Sequence, residues 1–311
     1  MIRMGSGCKI KGDPTLIPNP LKVGTRSRQP GIRGRNSNNT WTLPNMPIIP
    51  SGVIATPPDT DLLWQMIFGG AATIATPYST YNVVDGTIIT AILARFQHLM
   101  TTLTQQFAIG ALCTDWSINI NGDIITVSAN GQCYWVLDSE NFANEVTAGL
   151  GGLTTYPVEL VSPTVLGSIQ EGFVGTATFA GNNVDSISFP LISADVKGKT
   201  GNAYTNDAFG TSFPALPAGG RRMVTTRATF QDTDSASLSA LKVAAKAKAV
   251  ESVTYVVGNV AGSIVTITVQ GVQFAVPEYS DEAARVVTAF GDSDASATSI
   301  SATNEITVAF S

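Results

Sequence analysis

The chain has 311 residues, of which 44% are apolar and 13% charged, with a formal net charge of −5. That length is enough for two domains with separate cores, and low charge with abundant Gly and Thr fits all-β architecture with extensive subunit contacts better than a freely soluble helical enzyme. Three cysteines (Cys8, Cys113 and Cys133) have neither the number nor the spacing of a disulfide framework or a zinc site, and read as small buried thiols.

The N-terminal stretch "MIRMGSGCKIKGD" has no apolar signal core, and no run of 18 apolar residues follows anywhere. The expectation is a protein made and assembled in a cytosol, without membrane insertion. Residues 1–50 hold Arg3, Lys9, Lys11, Lys22, Arg26, Arg28, Arg33 and Arg35 against Asp13 alone, a balance of +7. The remaining 261 residues therefore sum to −12: a basic arm on an acidic body. From 12 to 58 the density of Pro, Gly and Asn argues against a helix or a central strand and predicts an extended arm or long loop. Its cations Lys22, Arg26, Arg28, Arg33 and Arg35 have three readings: contacts to nucleic-acid phosphates, docking on the acidic body of a neighbouring copy, or a solvated tail. Docking is preferred because the chain carries both complements, and only Trp41 lies close enough to stack on bases.

In "PPDTDLLWQMIFGG", Pro57-Pro58 sets the entry to a short helix, Asp59 or Thr60 caps it, and Gly69-Gly70 ends it. The following "GTIITAILARFQHLMTTLTQQF" reads as strands, with a helical turn or two open as an alternative. "WSININGDIITVSANG" places Trp116, Ile118 and Ile120 on one face and predicts a hairpin about Asn121-Gly122. "QCYWVL" closes this unit, and "TAGLGGLTTYPVELVSPTV" reads as an interdomain linker.

A second unit opens with "GFVGTATFAGNNVDSISFPL", two runs around Gly181-Asn182-Asn183. The strand "RRMVTTRATF" leads into Asp232-Thr233-Asp234, where Asp232 and Thr233 are the expected caps of a helix from about Ser235 to Val250. Leu238, Leu241, Val243 and Ala244 supply its apolar side, and Lys242, Lys246 and Lys248 its polar positions. Strands follow at "ESVTYVV" and "SIVTITV", joined by "GNVAG", then at "GVQFAVPEY", "EAARVVTAFG" and "NEITVAF".

The phrase Asp59-Thr60-Asp61 returns 173 positions later at Asp232, and Ile125-Thr126-Val127 lies against Val286-Val287-Thr288 at an offset of 161. The shared order of capped helix, apolar strand and hairpin predicts a duplicated unit. The expected organisation is an N-terminal strand and basic arm over 1–58, a first β domain over 59–162 completed by part of 1–58, and a second over 163–311.

Chemistry is quiet. His98 stands alone, no nucleophile motif occurs, and "GNVAG" and "GGAATIAT" lack the Lys and helix of a phosphate loop. Asp232/Asp234 and Asp281/Glu282 sit at a helix start and in a loop, where capping and solvation suit them better than acid–base work. The expectation is a non-enzymatic protein with no catalytic residues, cofactor or metal.

The tandem units resemble the major tail tube proteins of long-tailed bacteriophages. The likeness is carried by "PDTDLLWQMIFGG", "FAIGALCTDWSININGDIITVSANGQ", "NNVDSISFPL", "GRRMVTTRATFQDTDSASL" and "GVQFAVPEYSDEAARVVTAFG", and extends over about 51–311. The resemblance implies a mainly β fold of two tandem β-sandwich or barrel domains, each with a flanking short helix. It implies a virion protein that forms stacked rings around a lumen, three chains filling six module positions in preference to six chains. Implied partners are other copies, the tape-measure protein and double-stranded DNA in the lumen, and the tail terminator and distal tip proteins. An acidic lumen would repel DNA phosphate, with Asp115, Asp123, Asp281 and Glu282 the candidates to face it. Alternatives are a head-decoration β-sandwich and an extracellular carbohydrate-binding or adhesin module. Neither the latter's signal peptide nor its aromatic clusters are seen.

Overall fold

The computed structural model of the chain describes residues 2–4, 7–12, 16–17, 32–33, 39–84, 86–99, 102–121, 124–138, 175–181, 184–205, 217–233, 235–281, 286–293 and 305–311. These carry the strands β1 (Ile2–Met4), β2 (Lys9–Lys11), β3 (Leu16–Ile17), β4 (Ile32–Arg33) and β5 (Thr40–Pro47), then helix α1 (Asp61–Phe68). Next come β6 (Thr73–Ala75), β7 (Tyr78–Asn82), β8 (Ala91–Leu99), β9 (Thr102–Ile120), β10 (Ile125–Gln132) and β11 (Trp135–Asp138). The later part has β12 (Gly175–Gly181), β13 (Val184–Lys199), β14 (Ala203–Tyr204), β15 (Pro217–Ala218), β16 (Met223–Gln231) and helix α2 (Ser235–Lys246). It closes with β17 (Glu251–Val257), β18 (Val265–Phe274), β19 (Glu278–Asp281), β20 (Val286–Ser293) and β21 (Ile306–Phe310). The fold is mainly β, with a mixed but largely antiparallel sheet and two short helices.

Strict alternation explains the strands: β10, β17 and β21 bury every second side chain for most or all of their length, as half-buried strands of Val, Ile and Thr should. One ladder runs β2–β5–β10–β9–β13–β16–β20, with β19 and the tail of β18 beyond β20. A second runs β1–β8–β9–β11, its β1–β8 pair parallel, and a third β12–β17–β18–β21–β7–β6. β9 serves two ladders, pairing with β11 through residues 106–109 and with β10 through 112–120. It turns at Gly110, whose φ of +61° no side chain adopts comfortably and whose missing Cβ would lie 2.9 Å from Tyr134 Cβ.

A set of pairings occurs twice. β5 precedes α1 and pairs with β10; β16 precedes α2 and pairs with β20. β8–β9, β9–β10 and β9–β11 recur as β17–β18, β18–β20 and β18–β21. β10 and β20 have equal length at the offset of 161, but their faces differ by one residue. Ile125 is buried, whereas the register sets Val287, not Val286, opposite the buried Phe230. Because side-chain direction alternates, the correspondence that keeps core faces together is shifted by one position.

One large core spans both halves, with two small clusters beside it: Ala94, Phe107, Ile109 and Leu137 in the second ladder, and Ala244 with Ala249 near α2. Trp64 and Phe68 of α1 meet Tyr81 of β7, Phe310 of β21 and Trp116 of β9, with ring centroids 5.8–6.4 Å apart. A second group joins Phe179, Phe189, Phe230 and Phe274, the Phe189–Phe230 pair stacked at 4.5 Å.

Several local expectations are refined. "AILARFQHL" is strand β8, not helix. The Asn121-Gly122 hairpin has a longer connection than two residues, because Ile120 pairs with Ile125 and Ile124 N–H donates to Asn121 Oδ1 at 3.0 Å. A two-residue turn would set Asp123 opposite Ile120 on the buried face, a costly place for a carboxylate. α2 ends at Lys246, and Val243 is 63% exposed instead of facing the core. The expected extended arm over 12–58 is corrected at its later part: Thr40–Pro47 is strand β5, held between β2 and β10 because Trp41 and Leu43 alternate into the core, while nearer its start Leu16-Ile17 pairs with Ile32-Arg33. The expected linker lies outside the described residues.

Candidate functional site

The feature that organises the molecule is the joint between β9 and β13, which merges the early and late halves of the main ladder. Trp116, Ile118 and Ile120 point inward from β9, opposite Gly198, Val196 and Ala194 of β13. Gly198 is required there, since a Cβ would stand 2.2 Å from the Trp116 indole. The other side chains form a broad polar face. One row crosses it as Lys9, Thr42, Asn130, Asp115, Lys199 and Met223, each residue opposite the next on the neighbouring strand. A groove of about 510 Å³ follows this row, with Lys197, Ser117 and Thr225 also on its walls.

Asp115 is half-buried and stands opposite exposed Lys199 across the joint; Lys197 pairs with Asp195 on its own strand. Exposed ion pairs contribute about 0–1 kcal/mol. The joint therefore rests on its backbone ladder and the burial of Trp116, Ile118 and Ile120, while the charges select register. Lys9, Lys11, Lys197, Lys199 and Arg227 share the face with Asp115, Asp195 and Glu278, so it is of mixed sign and not uniformly acidic. Sequence reasoning overlooked Lys197 and Lys199. Their signal was the alternation in "SADVKGK", charged at every second position.

Of the expected lumen residues, Asp115 lies on this face, and the backbone of Asp281 pairs opposite Val286 at the end of β19; Asp123 and Glu282 fall outside the described residues. Among the arm cations only the backbone of Arg33 is described, in β4, and Lys22, Arg26, Arg28 and Arg35 are not. Thr60 holds the N-cap position of α1, yet its hydroxyl accepts from the Trp64 indole N–H at 2.9 Å instead of a backbone N–H. Asp59 is exposed, while Asp61 accepts from Tyr81 Oη at 2.6 Å and from Gln65 Nε2 at 2.8 Å. Asp232 is buried and accepts from Tyr279 Oη at 3.2 Å, and Thr233 is exposed just before α2. The repeated phrase thus holds helix entries through tyrosine–carboxylate bonds.

Reactive chemistry is not assembled among the described residues. No group of three or more His, Cys, Asp or Glu is positioned to hold a metal ion. Burial pushes the Cys133 thiol up to about 12 and raises that of Cys113 further, with the Asp115 charge adding to the latter. Both stay protonated and unreactive at neutral pH. No helix of the described residues is long and apolar enough to cross a membrane. Compared with known protein families the chain matches no family model, and compared with curated proteins it matches none.

Proposed function

We propose that the chain is a structural subunit of a phage tail tube, built from two tandem β-sandwich domains, that assembles into stacked hollow rings through which DNA is ejected. The observation that carries this reading is the β9–β13 joint, where two sets of similarly connected strands meet edge to edge with one face polar and the other buried. Continuing that joint from copy to copy closes a sheet and leaves no exposed strand edges, the condition a Thr- and Val-rich β protein needs to avoid random aggregation. Two domains per chain make three chains sufficient for six positions. The polar face then lines the lumen, where alternating charges hold water and give phosphate no continuous basic track to bind. The tape-measure protein and DNA occupy that lumen, terminator and tip proteins cap the stack, and the arm, limited to the residues between β2 and β5 because Thr40–Pro47 is held in the main ladder, reaches the adjacent ring.

Negative-stain electron microscopy of the purified protein tests the reading. Hollow rings or tubes support it, whereas compact trimers without a central hole favour a head-decoration protein.

A further inference from the structure

We infer that the contact between copies is an antiparallel pairing of β2 of one chain with β19 of the next, the Lys9 and Lys11 edge drawn to the Glu278 edge by opposite charge. The inference rests on the tail-tube reading and names the edges that would join the ring. The internal joint supplies the template. There, β9, beside β10, meets β13, beside β16, and Asp115 on the first half stands opposite Lys199 on the second. At the two ends of the same ladder, β19 lies beside β20 as β9 lies beside β10, and β2 lies beside β5 as β13 lies beside β16. β19 therefore presents the edge equivalent to β9, and β2 the edge equivalent to β13.

The two outer edges are also of opposite charge. Lys9 and Lys11 are exposed, opposite Thr42 and Thr40, on the polar face. Glu278 is exposed and opposite Thr288, which stands opposite Thr229 on that same face. The external joint thus sets an acidic edge against a lysine edge, without repeating the internal Asp115–Lys199 pair, because Glu278, opposite Thr288, falls at the place of Asn119, opposite Thr126. Like charges on both edges would repel a second copy; opposite charges select it and fix which end meets which.

The test is a charge exchange read by light scattering after size-exclusion chromatography of the full chain. Lys9→Glu with Lys11→Glu, and separately Glu278→Lys, should each raise the concentration at which monomer gives way to ring by about tenfold or more. The chain carrying all three changes should regain assembly. Unchanged circular dichroism melts confirm that the exposed substitutions leave the fold intact. Rings that form equally well in every variant, or a triple variant that stays dissociated, overturn the β2–β19 contact while leaving the tail-tube reading standing. A wild-type chain that remains monomeric at every concentration overturns both.

Discussion

The two aromatic groups of the core do different jobs. Phe179, Phe189, Phe230 and Phe274 all come from the later half, on strands adjacent or nearly adjacent in sequence. Trp64, Phe68, Tyr81 and Trp116 come from the earlier half, but Phe310 joins them from the last strand, β21, which pairs with β7. The Trp64 group is therefore a clasp between the early half and the last strand, and the Phe179 group is the filling of the later half. Similar ladders need not be closed by the same packing.

That contrast can be broken at Trp64. Trp64→Ala removes a fully buried ring and should cost about 3–5 kcal/mol. It should also speed amide exchange in β21, since Phe310 loses its neighbour 5.8 Å away. Phe230→Ala should cost a similar amount yet leave β21 exchange close to the wild-type rate. Equal acceleration of β21 by both would mean that the two groups form one cooperative unit. Denaturant melts and hydrogen exchange by mass spectrometry read the two quantities.

The joint between the halves is the next target. Gly198→Ala pushes a methyl group into the Trp116 indole and should cost about 1–3 kcal/mol. Trp116→Leu in the same chain should return part of that loss, because the clash partner is gone. A purely additive double variant would show that Trp116 does not limit the space at Gly198.

Hydrogen bonds offer a finer comparison. Tyr255 Oη lies 2.6 Å from Thr226 Oγ1 inside the later half, both buried; Tyr255→Phe should cost about 1–2 kcal/mol by leaving the Thr226 hydroxyl without that partner. Thr60→Val at the entry to α1 should cost about 1 kcal/mol, by depriving the Trp64 indole N–H of its acceptor.

Alkaline pH gives an effect that is absent near neutrality and grows as pH rises. Cys133 has a folded pKa of about 12, above the ordinary thiol value of 9.0, because burial disfavours the thiolate. The stability it contributes is fully present below the ordinary value and is lost as pH rises toward 12. The slope per proton is at most about 1.4 kcal/mol per pH unit. Tyr204, raised to about 12 by burial first and the nearby Cys133 and Tyr134 second, acts in the same direction above pH 10. Melts from pH 8 to 11.5 should fall less steeply for Cys133→Ala than for the wild-type chain. Identical slopes would show that this thiol does not titrate differently on folding.

Local pattern was legible in the sequence, and distant pairing was not. Alternation placed β10, β17 and β21, and Gly181 stands opposite Val184, the two strand ends that the expected turn about Gly181-Asn182-Asn183 would join. The helix at Asp61 followed from its entry prolines and exit glycine. In contrast, "AILARFQHL" has residues compatible with either element and became a strand through pairing with β9 and β1. Val243 shows why a composition of apolar residues does not define a buried face: Leu238, Leu241 and Ala244 occupy that face of α2, and Val243 points away. The polar face was the least legible feature. Asp115 was picked out, but its neighbours Lys197 and Lys199 are brought beside it only by β9–β13, a contact that no local periodicity encodes.

The central claim is that each chain fills two positions of a six-position ring. Native mass spectrometry of the assembled protein tests this most directly. The account predicts a ring of three chains, three times the 32.5 kDa chain mass. A ring of six chains, or a closed dimer, would contradict it.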